Sequence, residues 1–349
     1  MEHLRLRHRR NDSLPLREAS TDASAEDLLV RHEASHPAMG TVFSIAAYGP
    51  DPGRLQRSLA RSFLEIDRLD NLMSRYKPDS ELSTINREAS HRAVVISPEL
   101  FNLLEDSLRF SAETCGAFDP TIGPLMKSWG FFRGCGRLPE PQELEQALKR
   151  IGYRHIKLDS TAHTLRFAEP GIELDLGAIG KGYAVDRVVE ILRADGVSSA
   201  LVSGGTSSIY AIGAPPGEHG WEISLSDPLD RSKQASSLRL RNMSISISGS
   251  QEKSFVLNGV LYTHIVDPRT GRPVENMLMT VAIAASNTAS DALSTAFFVS
   301  GVEQTRAYLQ NHPNLTAILF APKVPSEATE QVVLKSNTIA LPADSFIWS

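Results

Sequence analysis

Glu173-Leu-Asp-Leu-Gly-Ala-Ile-Gly-Lys-Gly-Tyr-Ala-Val-Asp186 constrains the fold more than any other stretch of the 349 residues. Ile172, Leu174 and Leu176 alternate as in a buried strand, the glycines impose a turn, and Val185, Val188, Val189 and Leu192 then recur at helical spacing. A strand that stops at glycines and opens a helix leaves backbone N–H groups at the helix's positive end, a common way to hold a phosphate. Lys181 stands at that end, where a cation is unfavourable unless an anion joins it. The alternative is an ordinary strand-to-helix turn with a surface lysine. The segment is not a Walker A loop, because Gly177 lies only three residues before Gly180 and Gly182 stands where Ser or Thr would hold magnesium. Nor is it GxGxxG, so the remainder of any phosphate site must come from elsewhere.

On either side the chain reads as an alternation of helices and short strands. Met39–Tyr48 alternates as a strand, and Leu55, Leu59, Phe63, Ile66, Leu69 and Leu72 mark an amphipathic helix from about Arg54 to Met73. Ser74–Ser80 is a polar turn, and Ser83, Ile85 and Asn86 read as a further irregular piece. Ser97-Pro98 starts a second helix. Gly116–Trp129, with two prolines and two glycines, reads as a long ordered loop, the kind that often carries function. A short helix over 141–151 leads to strands at His155–Leu158 and Thr164–Phe167.

Beyond residue 199, strands are expected at 200–205, 208–212, 221–225, 236–240 and 244–248. Asn258-Gly259 between two apolar runs signals a hairpin. A strand at 280–285, helices at 290–300 and 304–310, a strand at 317–320 and a polar end complete the chain. Many hairpins and few β-α units predict an α+β fold of largely antiparallel sheets with packed helices. The domain is expected over 37–349, after a disordered polar tail of residues 1–36.

Net charge is −5, which gives no basic face for nucleic acid. Cys115 and Cys135 are spaced for neither a zinc site nor a disulfide framework. The arginine-bearing start holds no apolar run of signal-peptide length, and no segment approaches a membrane span, so a cytoplasmic location is expected.

Several residue types are suited to chemistry. Asp291 and Thr295 lie four apart on one helix, so their oxygens share a face that suits a hard divalent cation; alternatively, Asp291 is a first-turn residue after Ser290 and Thr295 is filler. His264 is either a half-buried structural histidine or a general base. Arg269 either pairs with Asp267 or reaches an anion. Asp175, amid apolar neighbours, needs a partner, and Lys181 is a candidate. Tyr76 either stacks on a flat ring or covers the core, the latter being preferred.

In order, Met39-Gly-Thr, Ser74-Arg-Tyr-Lys-Pro-Asp-Ser-Glu-Leu-Ser83, Phe118-Asp-Pro-Thr-Ile-Gly-Pro124, Asp175–Tyr183 with Asp186, Gly204-Gly205, His264-Ile-Val-Asp-Pro-Arg-Thr-Gly271 and Asp291-Ala-Leu-Ser-Thr295 resemble the motifs of the ApbE family. These are the FAD:protein FMN transferases, and the likeness runs from about residue 37 to 300. The resemblance implies a T-fold-related architecture. It also implies a magnesium-dependent enzyme that moves the FMN half of FAD onto a threonine hydroxyl of an acceptor protein, releasing AMP. Met39, Tyr76, Ala117, Phe118, Asp119, Asp175, Lys181 and Ile265 would line FAD. Ala178, through its carbonyl, would join Asp291 and Thr295 around the metal with Ser294 adjacent, and His264 is the candidate base. Two features depart from the family: no signal peptide with a lipid-bearing cysteine is read in the given residues, and Thr206 stands where an acidic residue often follows the glycine pair. Two alternatives stand beside it: an FAD pyrophosphatase yielding FMN and AMP, which needs the same parts, and a non-catalytic flavin carrier, which would need no metal pair such as Asp291 and Thr295.

Overall fold

The computed structural model describes residues 29–134, 136–250, 254–322 and 329–335, and the backbones of two short strands, Leu4–Arg5 and Phe346–Trp348. The rest of the N-terminal tail and Cys135 lie outside the described residues, whereas Cys115 is an exposed free thiol.

An eight-stranded, wholly antiparallel sheet forms the centre. Its order is 329–335, 316–322, 279–284, 243–249, 208–212, 199–204, 41–49 and 30–38. Both faces are covered, and side chains alternate between them as the pleat requires. Phe43, Ile45, Ala200 and Val202 point to one apolar cluster shared with the helices. Ala46, Leu201, Ile245 and Ile247 point to another, shared with a second sheet built on Trp221–Ser226 and Gln234–Leu240. Strands Ser199–Gly204 and Met279–Ala284 are buried at every position, mostly by apolar residues, as strands covered on both faces are.

Seven α-helices are described, beside a three-stranded sheet of 94–95, 164–167 and 156–159. Helix α1 (Pro52–Met73) is capped by Asp51, whose carboxylate accepts from the Arg54 amide at 3.0 Å, and it buries Leu55, Leu59, Ile66 and Leu69. Helices α2 (Glu81–Glu88) and α3 (Pro98–Glu113) start at Ser80 and Ser97. Short helices α4 (Gly123–Ser128) and α5 (Pro141–Leu148) follow, then α6 (Gly180–Ala194) and α7 (Asn287–Gln310).

The α+β expectation holds, and several local readings change. Val30–Ala38 is a strand paired with Thr41–Gly49, so ordered structure begins before residue 37. Residues 83–86 are helical, because Ser80 caps them through the Ser83 amide at 2.9 Å. The 116–129 segment contains α4, whose Pro124 sits in the first turn, where a missing N–H is harmless. Residues 172–176 join no sheet among the described residues, Glu173 making only an isolated bridge to Ile122. Asn86 clamps them by donating to the Leu174 carbonyl at 3.0 Å and accepting from its amide at 2.7 Å, and the Asp175 amide donates to Pro120. Side chain and loop occupy the edges that neighbouring strands would have used.

Helix α7 begins at Asn287 and breaks at Gly301 (φ 71°, ψ −174°), which separates the two expected helices. The polar end contributes Thr329–Lys335 to the main sheet.

Candidate active site

A cavity of about 710 Å³ opens on the helical side of the main sheet. Met39 and Gly40, both left-handed (φ 50° and 71°), turn the edge hairpin at its rim. Its walls come from the end of α1 with Ser74–Lys77, from segments 117–122 and 175–181, from Thr206 and Ser207, from His264–Val266, and from α7. Of the residues singled out from sequence, Met39, Tyr76, Ala117, Phe118, Asp119, Asp175, Ala178, Lys181, His264, Ile265, Asp291 and Thr295 all line it. Ser294 does not. It is fully buried, its hydroxyl donating to the Asp291 carbonyl at 2.9 Å and pairing with Ser248 at 2.9 Å.

The start of α6 meets α7 at the floor. Gly182 permits this approach, since a Cβ there would lie 2.3 Å from the Asn287 carbonyl oxygen and 2.7 Å from the Asp291 Cβ. The Gly182 amide donates to Asp291 Oδ2 at 2.9 Å, Ser208 Oγ donates to Oδ1 at 3.1 Å, and Lys181 Nζ stands 3.5 Å from Oδ1. The anion that joins Lys181 at this helix start is therefore the protein's own carboxylate, and a first-turn amide is already engaged by it. Asp291 lies in the second turn of α7, behind the capping Ser286, and is 3% exposed.

Two polar systems fix α7. From α6, Asp186 accepts from the Asn287 and Thr288 amides, both at 2.8 Å, and from the Ser286 and Thr288 hydroxyls, both at 2.7 Å. From the sheet, Ser244, Ser246 and Ser248 alternate with apolar residues that face the second sheet. They meet Ser290, Ser294 and Thr295 through hydroxyl contacts of 2.8–3.2 Å.

Asp175 pairs with Arg75, not with Lys181. The Arg75 side chain is 7% exposed and also lies 3.8 Å from Glu173. The Arg75 guanidinium covers the Phe132 ring at 4.5 Å, and Tyr76 stacks on the same ring at 5.1 Å. Tyr76 is 64% exposed and does not cover the core; it forms an aromatic lip. Arg269 makes the local choice, with a two-pronged pair to Asp267 at 2.9 Å for each prong. His264 is half-buried, at the edge of the Phe131 ring.

The Asp119 carboxylate accepts from the Thr121 amide (2.9 Å), the Thr121 hydroxyl (2.6 Å) and the Tyr153 amide (2.8 Å). Burial pushes this carboxyl above its ordinary range, against the lowering pull of those hydrogen bonds. A carboxyl whose folded pKa exceeds its unfolded value contributes stability that is fully present below the unfolded value of 3.8 and is lost as pH rises through the folded one. The stability of the wild type relative to Asp119→Asn should therefore fall with rising pH across the acid range, as read by urea unfolding. A gap that does not change with pH would show that burial is not what moves this group.

Among the described residues, no group of three or more His, Cys, Asp or Glu is gathered to hold a metal. The donor types lining the cavity beside Asp291 are oxygens, with the Thr295 hydroxyl and the Ala178 segment nearby. One carboxylate with neutral oxygens fits a hard cation that keeps waters and shares substrate phosphates, and does not fit a zinc-type cage. Arg75, Phe132, Ser208 and Ser248 were not singled out from sequence. No local spacing marks them, since their partners lie far along the chain.

Residues 39–319 match the ApbE family. The FAD:protein FMN transferase of Treponema pallidum is 32% identical over 311 residues, 84% of this chain and 86% of that protein. The one from Salmonella typhimurium is 31% identical, over 77% of this chain and 78% of the relative. Among solved structures, the ApbE protein of Thermotoga maritima superposes with a TM-score of 0.77 at 28% identity, covering 88% of this chain and 97% of the other. The flavin transferase ApbE of Vibrio cholerae gives 0.76 at 26% identity, over 88% and 98%.

Proposed function

The chain belongs to the ApbE family of flavin transferases, and from that premise we propose that it is a magnesium-dependent enzyme that moves FMN from FAD to a threonine hydroxyl of an acceptor protein. The observation that carries this reading is the meeting of Lys181, Asp291, Thr295 and His264 on one cavity of ligand-binding size.

Such a transfer needs a bound pyrophosphate, neutralised charge and an aligned hydroxyl; positioning and electrostatics supply most of the rate. Asp291 and Thr295, with the Ala178 carbonyl, would hold magnesium, which when bound neutralises charge on the pyrophosphate. Lys181 adds a cation at the same floor. His264 takes the proton of the acceptor hydroxyl as its oxygen bonds to the phosphorus of the FMN half. The anhydride P–O bond breaks, and AMP leaves with the bridging oxygen. Tyr76, backed by the Phe132 ring, offers a flat face to a flavin or adenine ring. On that assignment Tyr76→Ala weakens FAD binding roughly tenfold and Tyr76→Phe does not, by flavin fluorescence titration.

The decisive test is mass spectrometry of protein, FAD, magnesium and a threonine-bearing acceptor, beside a tube without acceptor. An acceptor gaining FMN less water, with AMP released, establishes the transfer. FMN and AMP produced equally without acceptor would make the enzyme an FAD pyrophosphatase. FAD left bound and unchanged in both tubes would make it a carrier.

A further inference from the structure

Granting that a protein supplies the hydroxyl, we propose that the acceptor docks as an extended strand on the outer edge of Val260–Thr263. Its apolar side chains at alternate positions pack beside Leu261 and Val256.

Ser254–Leu257 and Val260–Thr263 form a two-stranded ribbon, turned at Asn258-Gly259 (φ 52° and 78°), that joins no other sheet among the described residues. Its base is anchored: Phe255 stacks on Tyr262 at 5.1 Å, and these rings meet Phe131 and Trp129 at 5.7 Å each. Its outer part is not covered. Val256 is 67% exposed, Leu261 42%, Val260 44% and Leu257 39%.

Residues 254–263 contain no charge and no proline. Sheet edges in folded proteins are ordinarily protected by such residues, because unpaired N–H and C=O groups recruit another strand. An edge left apolar and uncharged is suited to recruiting one, and main-chain pairing with alternate side-chain contacts is an established way to bind peptides.

The direction of the ribbon selects the occupant. Val260–Thr263 runs directly into His264, which lines the catalytic cavity. At about 3.3 Å per residue, a chain paired along this edge covers the ~13 Å from Val260 to His264 with about four residues. It would thereby deliver a following hydroxyl to the cavity. Phe255 and Tyr262, which hold the ribbon in place, lie on the opposite face from Val256 and Leu261, so the docking face is separate from the anchoring face.

The test uses three fluorescein-labelled synthetic peptides with a central threonine: one with valine at every second flanking position among serines, one with serine only, and the valine peptide N-methylated at alternate amides. Binding is read by anisotropy with FAD present, and FMN transfer is scored separately by mass. The wild type should bind the valine peptide about tenfold or more tighter than either control. The Val256→Ser, Leu261→Ser double variant should lose that preference while binding FAD as before. Equal binding of all three peptides, or a preference that survives in the variant, overturns the proposal. So does a concentration-dependent dimer abolished in the variant with peptide binding unchanged, because the edge would then serve a second copy. Preference without transfer upholds the docking strand and counts against the transferase reading; transfer without preference sinks the docking strand alone.

Discussion

Asp291→Ala should lower FMN transfer by about a thousandfold or more while the protein stays folded and still binds FAD. Asp291 is the carboxylate at the crossing of α6 and α7, and its neighbours show how much converges on it. The Gly182 amide and Ser208 hydroxyl orient its two oxygens, and Lys181 stands 3.5 Å away. Removing the carboxyl deletes the one charged oxygen donor of the Asp291–Thr295 pair and leaves Lys181 without its nearest anion. On the proposed assignment FAD is held more widely, by the aromatic lip and the long cavity wall, so the loss of FAD binding should be modest. Asp291→Asn keeps the shape and hydrogen-bonding capacity but not the charge. It should be almost as inactive as alanine, and on the proposed magnesium reading it should lose the magnesium stimulation expected of the wild type. The check is turnover against magnesium concentration, with thermal unfolding as the control. Retained turnover in either variant would remove Asp291 from the chemistry.

Asp186→Ala should cost about 3 kcal/mol of stability, more than a single helix cap usually contributes. Its carboxylate accepts four hydrogen bonds from the capping Ser286 and the first two residues of α7, and its negative charge faces the positive end of that helix. Alanine leaves two backbone amides without acceptors. The first turn of α7 then loosens, and that turn sets the position of Asp291 one turn further on. Turnover should fall along with stability, and Asp186→Asn, which keeps an acceptor, should recover part of both. Urea unfolding and turnover measured on the same preparations decide it. Lost stability with full turnover would show that the serine contacts are enough to position Asp291.

Much of the fold was legible because its signals are local. Spacings of three and four in Leu55–Leu72 mark a helix, Asn258-Gly259 marks a hairpin, and Ser97-Pro98 marks a helix start; each is set within a few residues. The misreadings share one cause. Residues 172–176 alternate like a strand, but Asn86 and Pro120 occupy their edges. Residues 30–36 and 329–335 read as polar, yet they help fill the two edges of the main sheet, where one side of a strand stays wet. Polarity alone did not distinguish an edge strand from a tail.

At the site the division is sharper. From sequence alone came the residue types and their order: a lysine at a glycine-opened helix, a carboxylate and hydroxyl one turn apart, and a histidine after a hairpin. Those follow from periodicity and backbone geometry within short segments. The pairing of charges came only with the tertiary structure. Asp175 lies six residues from Lys181 but takes Arg75, 100 residues away, and Lys181 takes Asp291, 110 positions on. Asp186 likewise caps a helix that begins about a hundred residues later. A buried charge takes whichever partner the packing brings within reach of its low-dielectric surroundings, and that reach is set by how helices and sheet stack, not by distance along the chain.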